Sequence, residues 1–327
     1  MGLTLVTGAS GFVGTHLVQE MRQRGLPVRG VSRQKRPGLV TIPSYGPEVN
    51  WTAYLADVDV VVHLAARVHV MRETARDPLA EFRAANVGAT LNLARQAARA
   101  GIRRFIYVST IKVNGENTEP GKPFTADDPP NPQNPYAISK AEAEDALIDL
   151  GQKSPMEIVI VRPPLVYGPG VGGNFRNLVK WASYGIPSIF AGIRNRRSLI
   201  FVGNLCDLII KAITHPQLNG ILLVSDGPAV STHELILGLA TALGRRSPSV
   251  IIPPTILYLG GVLLRRKHAL IRLLHNLEID DQATRQRLSW HAPYDTREAL
   301  RITVCAPVAD AHQLGTPTDK KRTRPPF

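Results

Sequence analysis

The sequence predicts an α/β fold, in which a doubly wound parallel sheet is accompanied by a smaller C-terminal domain. Strand-like apolar segments alternate with segments of helical periodicity as far as about residue 160, and a Gly-rich turn joins the first strand to the first helix. Such alternation produces right-handed βαβ units whose parallel strands are covered by helices on both faces. Ligands are then expected at the carboxyl ends of the strands.

Each element of this fold has a local signal. Apolar runs such as Leu3 to Val6 predict buried strands, and apolar residues spaced like Leu17, Val18 and Met21 predict amphipathic helices. The strand candidates are 3–7, 27–32, 58–64, 104–109 and 157–162, and the helical candidates are 12–24, 78–100 and 136–150. A segment rich in Pro and Gly at 115–135 precedes the last of these helices and is a candidate active-site loop.

Two domains and a tail are predicted along the chain. Residues 1–163 with 199–224 form the sheet domain, and residues 164–198 with 225–305 form the smaller domain. Residues 306–327 are polar, contain Pro and carry a basic run, so this tail is expected to be disordered.

The turn after the first strand predicts a dinucleotide site. Its sequence is Thr7-Gly8-Ala9-Ser10-Gly11-Phe12-Val13-Gly14. Gly8 would allow the tight turn, Gly11 would let backbone N–H groups approach a pyrophosphate, and Gly14 would let the helix pack closely on the sheet. Glycine also serves ordinary turns and caps, so the indication comes from the strand before the triplet and the helix after it.

A second motif, Tyr136-Ala137-Ile138-Ser139-Lys140, places a phenol and an ammonium one helical turn apart. A nearby cation is expected to lower the pKa of Tyr136 and so to let it act as an acid or base near neutral pH. In an arbitrary chain, a surface Tyr and Lys would be the simpler interpretation. The Gly-rich turn upstream favours a catalytic pair.

With these two motifs the chain resembles the extended short-chain dehydrogenase/reductases, in particular the nucleotide-sugar epimerase/dehydratase family, from about residue 3 to about residue 300. Four further segments carry the resemblance: Val61–Ala66, Ala85–Thr90, Tyr107–Val113 and Arg162–Gly170. The resemblance implies a Rossmann-type cofactor domain, a smaller domain that binds a nucleotide sugar, and a homodimer.

The resemblance also implies roles for individual residues. Tyr136 would transfer the proton to or from a sugar hydroxyl, Lys140 would hold the nicotinamide ribose, and Thr110 would hydrogen-bond the reacting oxygen. Asn86 would keep the active-site helix in place. The positions that would bind the cofactor are Gly8, Ser10, Gly11, Phe12, Val13, Gly14, Ser32, Arg33, Leu64, Ala65, Ala66, Tyr136, Lys140 and Pro163.

Three residues are implied in substrate binding. Asn174 and Arg197 match positions that contact the substrate diphosphate, which suits the guanidinium fork of an Arg. The alternative for Arg197 is a solvated basic cluster with Arg194 and Arg196. Lys112 departs from the family pattern, because a cation is unexpected so soon after Thr110; it either touches substrate oxygens or reaches solvent.

The end of the second strand predicts the cofactor. NAD-specific members place Asp or Glu where Ser32 stands, to bind the adenosine 2′-hydroxyl. Ser32 and Arg33, followed by Lys35 and Arg36, would instead suit a 2′-phosphate. NADP is therefore favoured over NAD, and the alternative is an exposed basic loop that tolerates either cofactor.

Composition predicts a soluble protein in the cytoplasm. The chain has 327 residues and 44% hydrophobic residues, without an apolar run of membrane-spanning length. A strand begins almost at once, which leaves no room for a signal peptide. Only Cys206 and Cys305 are present, so a disulfide framework is not expected, and no Cys/His cluster has metal-ligand spacing.

The net charge of +13 and the pI of about 10.1 are larger than an anionic cofactor and substrate require. Basic residues are scattered and lack an aromatic stacking pattern, so nucleic acid is not the leading partner. Segment 256–267 is apolar and then basic, like an interfacial helix, which would give weak association with an anionic membrane surface. A buried helix with a charged end is commoner and is the preferred interpretation of this segment, with the interfacial helix as the alternative.

The leading functional prediction is hydride transfer at C4 of a nucleotide-activated sugar. Within it, Ile111–Glu116 and Ser225–Gly227 resemble the bacterial surface-polysaccharide branch of the family, whose members reduce UDP-4-keto-6-deoxy-N-acetylhexosamines or are labelled UDP-hexose 4-epimerases. Because Ser32 and Arg33 suit NADP, reduction of a UDP-4-keto-6-deoxy-N-acetylhexosamine is favoured. The alternative is a 4-epimerase of UDP-glucose or UDP-N-acetylglucosamine. A non-catalytic NADP-binding module is a further alternative, against which the intact set of Thr110, Tyr136 and Lys140 counts.

Overall fold

The computed structural model describes residues 2–68, 77–253, 255–256 and 273–305. Its strands are β1 Leu3–Thr7, β2 Val28–Ser32, β3 Val40–Thr41, β4 Val58–His63, β5 Arg104–Val108, β6 Glu157–Arg162, β7 Leu165–Tyr167, β8 Leu199–Phe201 and β9 Gly220–Leu223. A seven-stranded sheet has the order β3-β2-β1-β4-β5-β6-β9, and β7 and β8 form a separate pair. All these pairings are parallel, as the alternation of strands and helices predicted.

Ten α-helices accompany these strands in the described part of the chain. They are α1 Phe12–Gln23, α2 Thr52–Leu55, α3 Pro78–Arg83, α4 Ala89–Arg99, α5 Pro135–Gln152, α6 Gly173–Ser183, α7 Val202–Thr214, α8 Thr232–Ala242, α9 Gln282–Leu288 and α10 Thr296–Cys305. A π-helical turn, Ala84–Gly88, joins α3 to α4, and a 3₁₀ turn, Ile111–Val113, follows β5. None of these helices has the length and apolar character that crossing a bilayer requires.

The core lies on both faces of the large sheet. Side chains that follow one another along a strand point to opposite faces, so Val6 packs with α1 and α7 whereas Leu5 packs with α4 and α5. Val6 and Leu5 are both fully buried because helices cover both faces of the sheet, as in other parallel sheets. The predicted doubly wound α/β fold is therefore confirmed.

The predicted helix over 78–100 was wrong in one respect, because the π-helical turn at 84–88 interrupts it. The apolar periodicity continues through this turn, and for that reason the pattern did not reveal it. A π-helical turn holds one residue more than an α-helical turn, and such turns are frequent at functional sites. Here Asn86 lies in the turn with only 1% of its surface exposed.

The predicted division into two domains stays a prediction. Strand β9 joins β6 in the large sheet, and α7 is tied to α1 by a salt bridge of 2.8 Å between Arg24 and Asp207. Strand β8, by contrast, pairs with β7, so the predicted boundary at residue 199 crosses the small sheet. The tail 306–327 and residues 257–267 of the apolar-basic segment lie outside the described residues.

Candidate active site

The candidate residues gather where the strands of the large sheet end. Strand β1 pairs with β2 on one side and with β4 on the other, so the chain order reverses at β1. A crevice outside the carboxyl ends of the strands is expected at such a reversal. The Gly-rich turn follows β1, residues 64–66 follow β4, and Thr110 follows β5.

The Gly-rich turn packs closely against the end of β4 and against its own first residues. Gly8 has a φ of +65°, and a Cβ there would lie 2.8 Å from the Ala65 amide nitrogen. A Cβ on Gly14 would lie 2.2 Å from the Gly8 carbonyl oxygen, so both positions exclude any larger residue. Gly11 precedes α1 without a side-chain cap, and Phe12 and Val13 begin the helix, which leaves their N–H groups for an anion. The turn therefore fits the pyrophosphate of NAD or NADP.

The segment after β4 is held by a buried histidine that the sequence analysis missed. His63 Nδ1 lies 2.7 Å from the Thr7 hydroxyl, and His63 Nε2 lies 2.8 Å from the Tyr45 hydroxyl and 3.0 Å from the Thr90 hydroxyl. Thr7 also accepts a hydrogen bond of 3.3 Å from the Ala65 amide. Burial, together with the charge of Lys140, lowers the pKa of His63 to about 3, so the imidazole is neutral.

Residues 64–66 are half-buried and follow directly on His63. Leu64 donates a backbone hydrogen bond of 3.3 Å to the Thr7 carbonyl, which continues the β1–β4 pairing past the end of the strands. Ala65 and Ala66 present no polar side chain. A cofactor that lies over this edge would meet backbone groups and methyl groups.

Strand β2 ends beside the Gly-rich turn. Ser32 is buried, and its hydroxyl donates to the Ser10 hydroxyl at 3.0 Å and accepts from the Gln34 amide at 3.2 Å. Arg33 is exposed next to it. Among the residues that the structure describes, no carboxylate stands at this strand end, and the polar groups there are Ser10, Ser32 and Arg33.

Thr110 is fixed at the end of β5. Its half-buried side chain caps the 3₁₀ turn by accepting from the Lys112 amide at 3.4 Å. The next amide, that of Ile111, donates to the carbonyl of buried Pro163 at 3.0 Å, which ties the turn to the segment after β6. Two strand ends therefore define the position of Thr110.

Helix α5 begins at a strong cap. Asn134 accepts a hydrogen bond of 2.9 Å from the Ala137 amide, and Pro135 occupies the first helical position. Half-buried Tyr136 comes next, with its ring 6.1 Å from the Phe82 ring in an edge-on arrangement. Burial raises the pKa of Tyr136 to about 12, because a phenolate is poorly solvated there.

The expectation that Lys140 lowers the pKa of Tyr136 is therefore not met in this structure. The Lys140 ammonium donates to the Val108 carbonyl at 2.8 Å and lies 3.8 Å from the centroid of the Tyr107 ring. Lys140 is itself only 1% exposed. Burial lowers its pKa to about 7, and the Glu144 carboxylate partly offsets this effect.

Asn86 joins the segment after β4 to α5. Its side-chain oxygen accepts from the Arg67 amide at 2.7 Å, and its side-chain nitrogen donates to the Arg67 carbonyl and to the Ser139 hydroxyl, each at 3.0 Å. The Ser139 hydroxyl donates in turn to the Tyr136 carbonyl at 2.8 Å. These contacts place Asn86 where it can hold the start of α5.

The substrate candidates lie on three segments. The Lys112 ammonium is 3.2 Å from the Glu116 carboxylate, so it is ion-paired and only 21% of its side chain is exposed. Exposed Asn174 is the second residue of α6, whose first turn has no side-chain cap. Arg197 donates from Nη1 to the His275 carbonyl at 3.0 Å. Contact of these residues with a substrate stays a prediction.

Arg197 differs from its basic neighbours. Arg196 forms a salt bridge of 2.7 Å with Glu278, and Arg194 is exposed. Half-buried Arg197 is held by backbone pairing with Val230. Within the described ranges, no three His, Cys, Asp or Glu side chains come together as a metal site requires.

Comparisons with known proteins agree with this arrangement. Residues 4–223 match the NAD dependent epimerase/dehydratase family. The chain is 40% identical over 309 residues to a UDP-glucose 4-epimerase of Vibrio cholerae, covering 92% of this chain and 94% of the relative.

Two solved structures share the fold. The UDP-N-acetylglucosamine 4-epimerase of Bacillus cereus has a TM-score of 0.74 at 20% identity, with 92% of this chain and 95% of the other covered. The UDP-glucose 4-epimerase of Thermus thermophilus in complex with NAD has a TM-score of 0.69 at 23% identity, with coverage of 92% and 97%. The chain belongs to the NAD-dependent epimerase/dehydratase family, and the expectation of an extended short-chain dehydrogenase/reductase enzyme is confirmed.

Proposed function

We propose that this protein is a UDP-sugar 4-epimerase that acts by hydride transfer at C4 of the sugar. The observation that carries this proposal is the 2.8 Å hydrogen bond from Lys140 to the Val108 carbonyl. It brings the first turns of α5, with Tyr136, against the strand end that presents Thr110. The 40% identity to a protein named UDP-glucose 4-epimerase supports epimerisation and a UDP-hexose substrate.

The cofactor would lie on the Gly-rich turn, with Gly8, Gly11 and Gly14 around its pyrophosphate and Lys140 at the nicotinamide ribose. When bound, NAD or NADP supplies a hydride acceptor and donor at C4 of the sugar. Tyr136 takes the proton from the sugar O4 and later returns it. The Thr110 hydroxyl hydrogen-bonds the same oxygen while charge develops on it.

The protonation state of Tyr136 constrains this cycle. With a pKa of about 12, the residue is a phenol at neutral pH and is a proton donor. To accept a proton from a sugar hydroxyl it needs a lower pKa, which positive charge brought close to the phenol would provide. Lys140 lies one helical turn away on α5, and its ammonium would supply that charge when protonated.

A second candidate function is the reduction of a UDP-4-keto-6-deoxy-N-acetylhexosamine with NADPH. It is favoured by Ser32 and Arg33, which stand at the end of β2 where NAD-specific members of the family have an Asp or Glu that would repel a 2′-phosphate. A reductase must also exchange its cofactor in every cycle. The named relatives favour the epimerase, and the solved relative bound to NAD favours NAD over NADP.

The experiment that separates the two is an assay of purified protein without added cofactor. For the epimerase we expect UDP-glucose or UDP-N-acetylglucosamine to be converted to its C4 epimer, as followed by proton NMR. Oxidation of NADPH by a UDP-4-keto-6-deoxy sugar, without epimer formation, would establish the reductase instead. Cofactor identified after denaturation, and the NADPH and NADH affinities of Arg33→Ala, test the NADP preference.

The remaining proposals concern setting and partners. A homodimer and a part in surface-polysaccharide synthesis rest on the family resemblance. A cytoplasmic location rests on the composition, and weak association with anionic membranes rests on the net charge and on segment 256–267. Light scattering of the purified protein tests the dimer. Sedimentation with anionic vesicles at low and high salt tests the membrane association.

A further inference from the structure

The two residues proposed to act on the sugar oxygen come from separate parts of the chain. Thr110 leads into the 3₁₀ turn after β5, whereas Tyr136 is the second residue of α5. The Pro- and Gly-rich loop 115–135 connects them. Chain connectivity alone therefore does not fix the distance between the two hydroxyl groups, and side-chain contacts must contribute.

Glu116 contacts both sides of this gap. Its Oε1 atom lies 3.2 Å from the Lys112 ammonium, on the side of Thr110. The same Oε1 atom accepts a hydrogen bond of 2.5 Å from the side-chain amide of Asn134, on the side of Tyr136. In both contacts the acceptor is a charged carboxylate, and hydrogen bonds to a charged group are stronger than neutral ones.

Each partner of Glu116 is in turn attached to a reacting element. The Lys112 amide donates to the Thr110 hydroxyl oxygen at 3.4 Å. Asn134 uses its side-chain oxygen to cap α5 at the Ala137 amide, 2.9 Å away, which leaves its side-chain NH₂ group to meet Glu116. The contacts thus run without a break from Thr110 to the first turn of α5.

We propose that Glu116 is a positioning residue, which sets the placement of Tyr136 relative to Thr110 by holding Lys112 and Asn134 at one oxygen. It also balances the charge of Lys112 beside the sugar. The proposal rests on the proposed roles of Thr110 and Tyr136. Sequence reasoning missed Glu116 because the contact to Asn134 spans the whole loop.

The loop has a second, backbone attachment that does not involve Glu116. The Asn131 amide donates to the Val113 carbonyl at 2.8 Å. Variants of Glu116 are therefore expected to fold with the loop in place, although the side-chain link between Lys112 and Asn134 is broken. Misplacement of reacting groups by about 1 Å can cost about 10²-fold in rate, so the effect should appear in kcat.

The test compares Glu116→Ala with Glu116→Gln. The Ala variant removes both the ion pair and the hydrogen bond, and we expect its kcat to fall by about ten- to a hundredfold while cofactor affinity changes by less than about twofold. Gln keeps an oxygen acceptor for Asn134 but removes the charge that holds Lys112. We expect an intermediate decrease for it, that is, partial rescue by the conservative variant.

Glu119→Gln is the matched control. Glu119 lies in the same loop and forms a 2.6 Å salt bridge with Lys122, but both side chains are more than 70% exposed, at 72% and 76%. Exposed pairs contribute little, so this variant should keep the wild-type kcat. Equal kcat for Glu116→Ala and Glu119→Gln would overturn the proposal, as would a change confined to KM.

Asn134→Ser tests the other side of the contact. Serine also caps helices well but cannot donate to Glu116 in the same way. We expect it to reduce kcat, and we expect the double variant with Glu116→Ala to be no slower than Glu116→Ala alone, because both remove one link. If the double variant lowered kcat by the product of the two single decreases, the two residues would act independently, which would contradict the proposed contact between Glu116 and Asn134. Tyr136→Phe, assayed in parallel, separates this proposal from the function: wild-type turnover in that variant would refute the function itself.

Discussion

Removing the side chain of Asn86 should lower both stability and turnover. Asn86→Ala deletes three hydrogen bonds, two to Arg67 and one to Ser139, at a site that is 1% exposed. Each bond has a net value of about 0.5–1.5 kcal/mol, so the free energy of unfolding should fall by about 2–4 kcal/mol. Ser139 keeps its bond to the Tyr136 carbonyl, and the larger part of the effect falls on the Arg67 backbone groups.

Urea denaturation followed by circular dichroism measures this change, and an unchanged m-value shows that the native state stays compact. Asn92→Ala is the matched control, because Asn92 is on α4 and bonds to Val49 and Gln96, away from the strand ends. Both variants should be less stable, but only Asn86→Ala should have a lower kcat. The reasoning is refuted if Asn86→Ala unfolds within about 0.5 kcal/mol of wild type, or if Asn92→Ala lowers kcat equally.

Three further predictions follow from single side chains. The pKa of His63 is about 3 in the folded protein and about 6.5 in an unfolded chain, so the unfolded chain binds a proton first as the pH falls. The free energy of unfolding should therefore decrease by about 5 kcal/mol between pH 6.5 and pH 3 through this residue. His63→Gln should remove that part of the pH dependence in urea titrations. Thr110→Val should lower kcat by on the order of 10²-fold in the epimer assay, whereas Thr110→Ser should keep most of the wild-type kcat. Equal kcat values for the Val and Ser variants would exclude a role for the hydroxyl. Arg197→Ala should weaken UDP-sugar binding by about ten- to a hundredfold in calorimetry without changing cofactor affinity, and Arg194→Ala should change neither; equal weakening of both ligands would indicate misfolding.

The sheet was predictable because its signals are local. Strands β1 and β6 have the bounds that their apolar runs indicated, 3–7 and 157–162. The Gly-rich turn was predictable for a related reason. A positive φ at Gly8 and the close packing at Gly14 can be met only by glycine, so the residue type itself encodes the geometry.

The contacts that hold the candidate site were less predictable, since they join residues far apart in sequence. His63 lies in a motif that pointed to a strand end, but its bonds to Thr7, Tyr45 and Thr90 depend on the assembled sheet. The Asn86 contacts likewise depend on the π-helical turn, which leaves no mark in the apolar periodicity.

The pKa of Tyr136 shows a different limit. Spacing on a helix predicts that Lys140 and Tyr136 share a face, but it does not give the degree of burial. In the structure burial is the larger effect for both residues: it raises the pKa of Tyr136 and lowers that of Lys140. Burial is a property of the surrounding fold, so the residue pair alone gave the wrong direction.

The most direct test of the central claim uses UDP-glucose labelled with deuterium at C4. If the hydride leaves C4 and returns to it, the epimeric product should keep its deuterium, turnover should slow relative to unlabelled substrate, and Tyr136→Phe should lower turnover by about 10²–10⁴-fold while still binding the UDP-sugar. Loss of the deuterium to solvent, or wild-type turnover in Tyr136→Phe, would contradict hydride transfer at C4 with Tyr136 as the proton carrier.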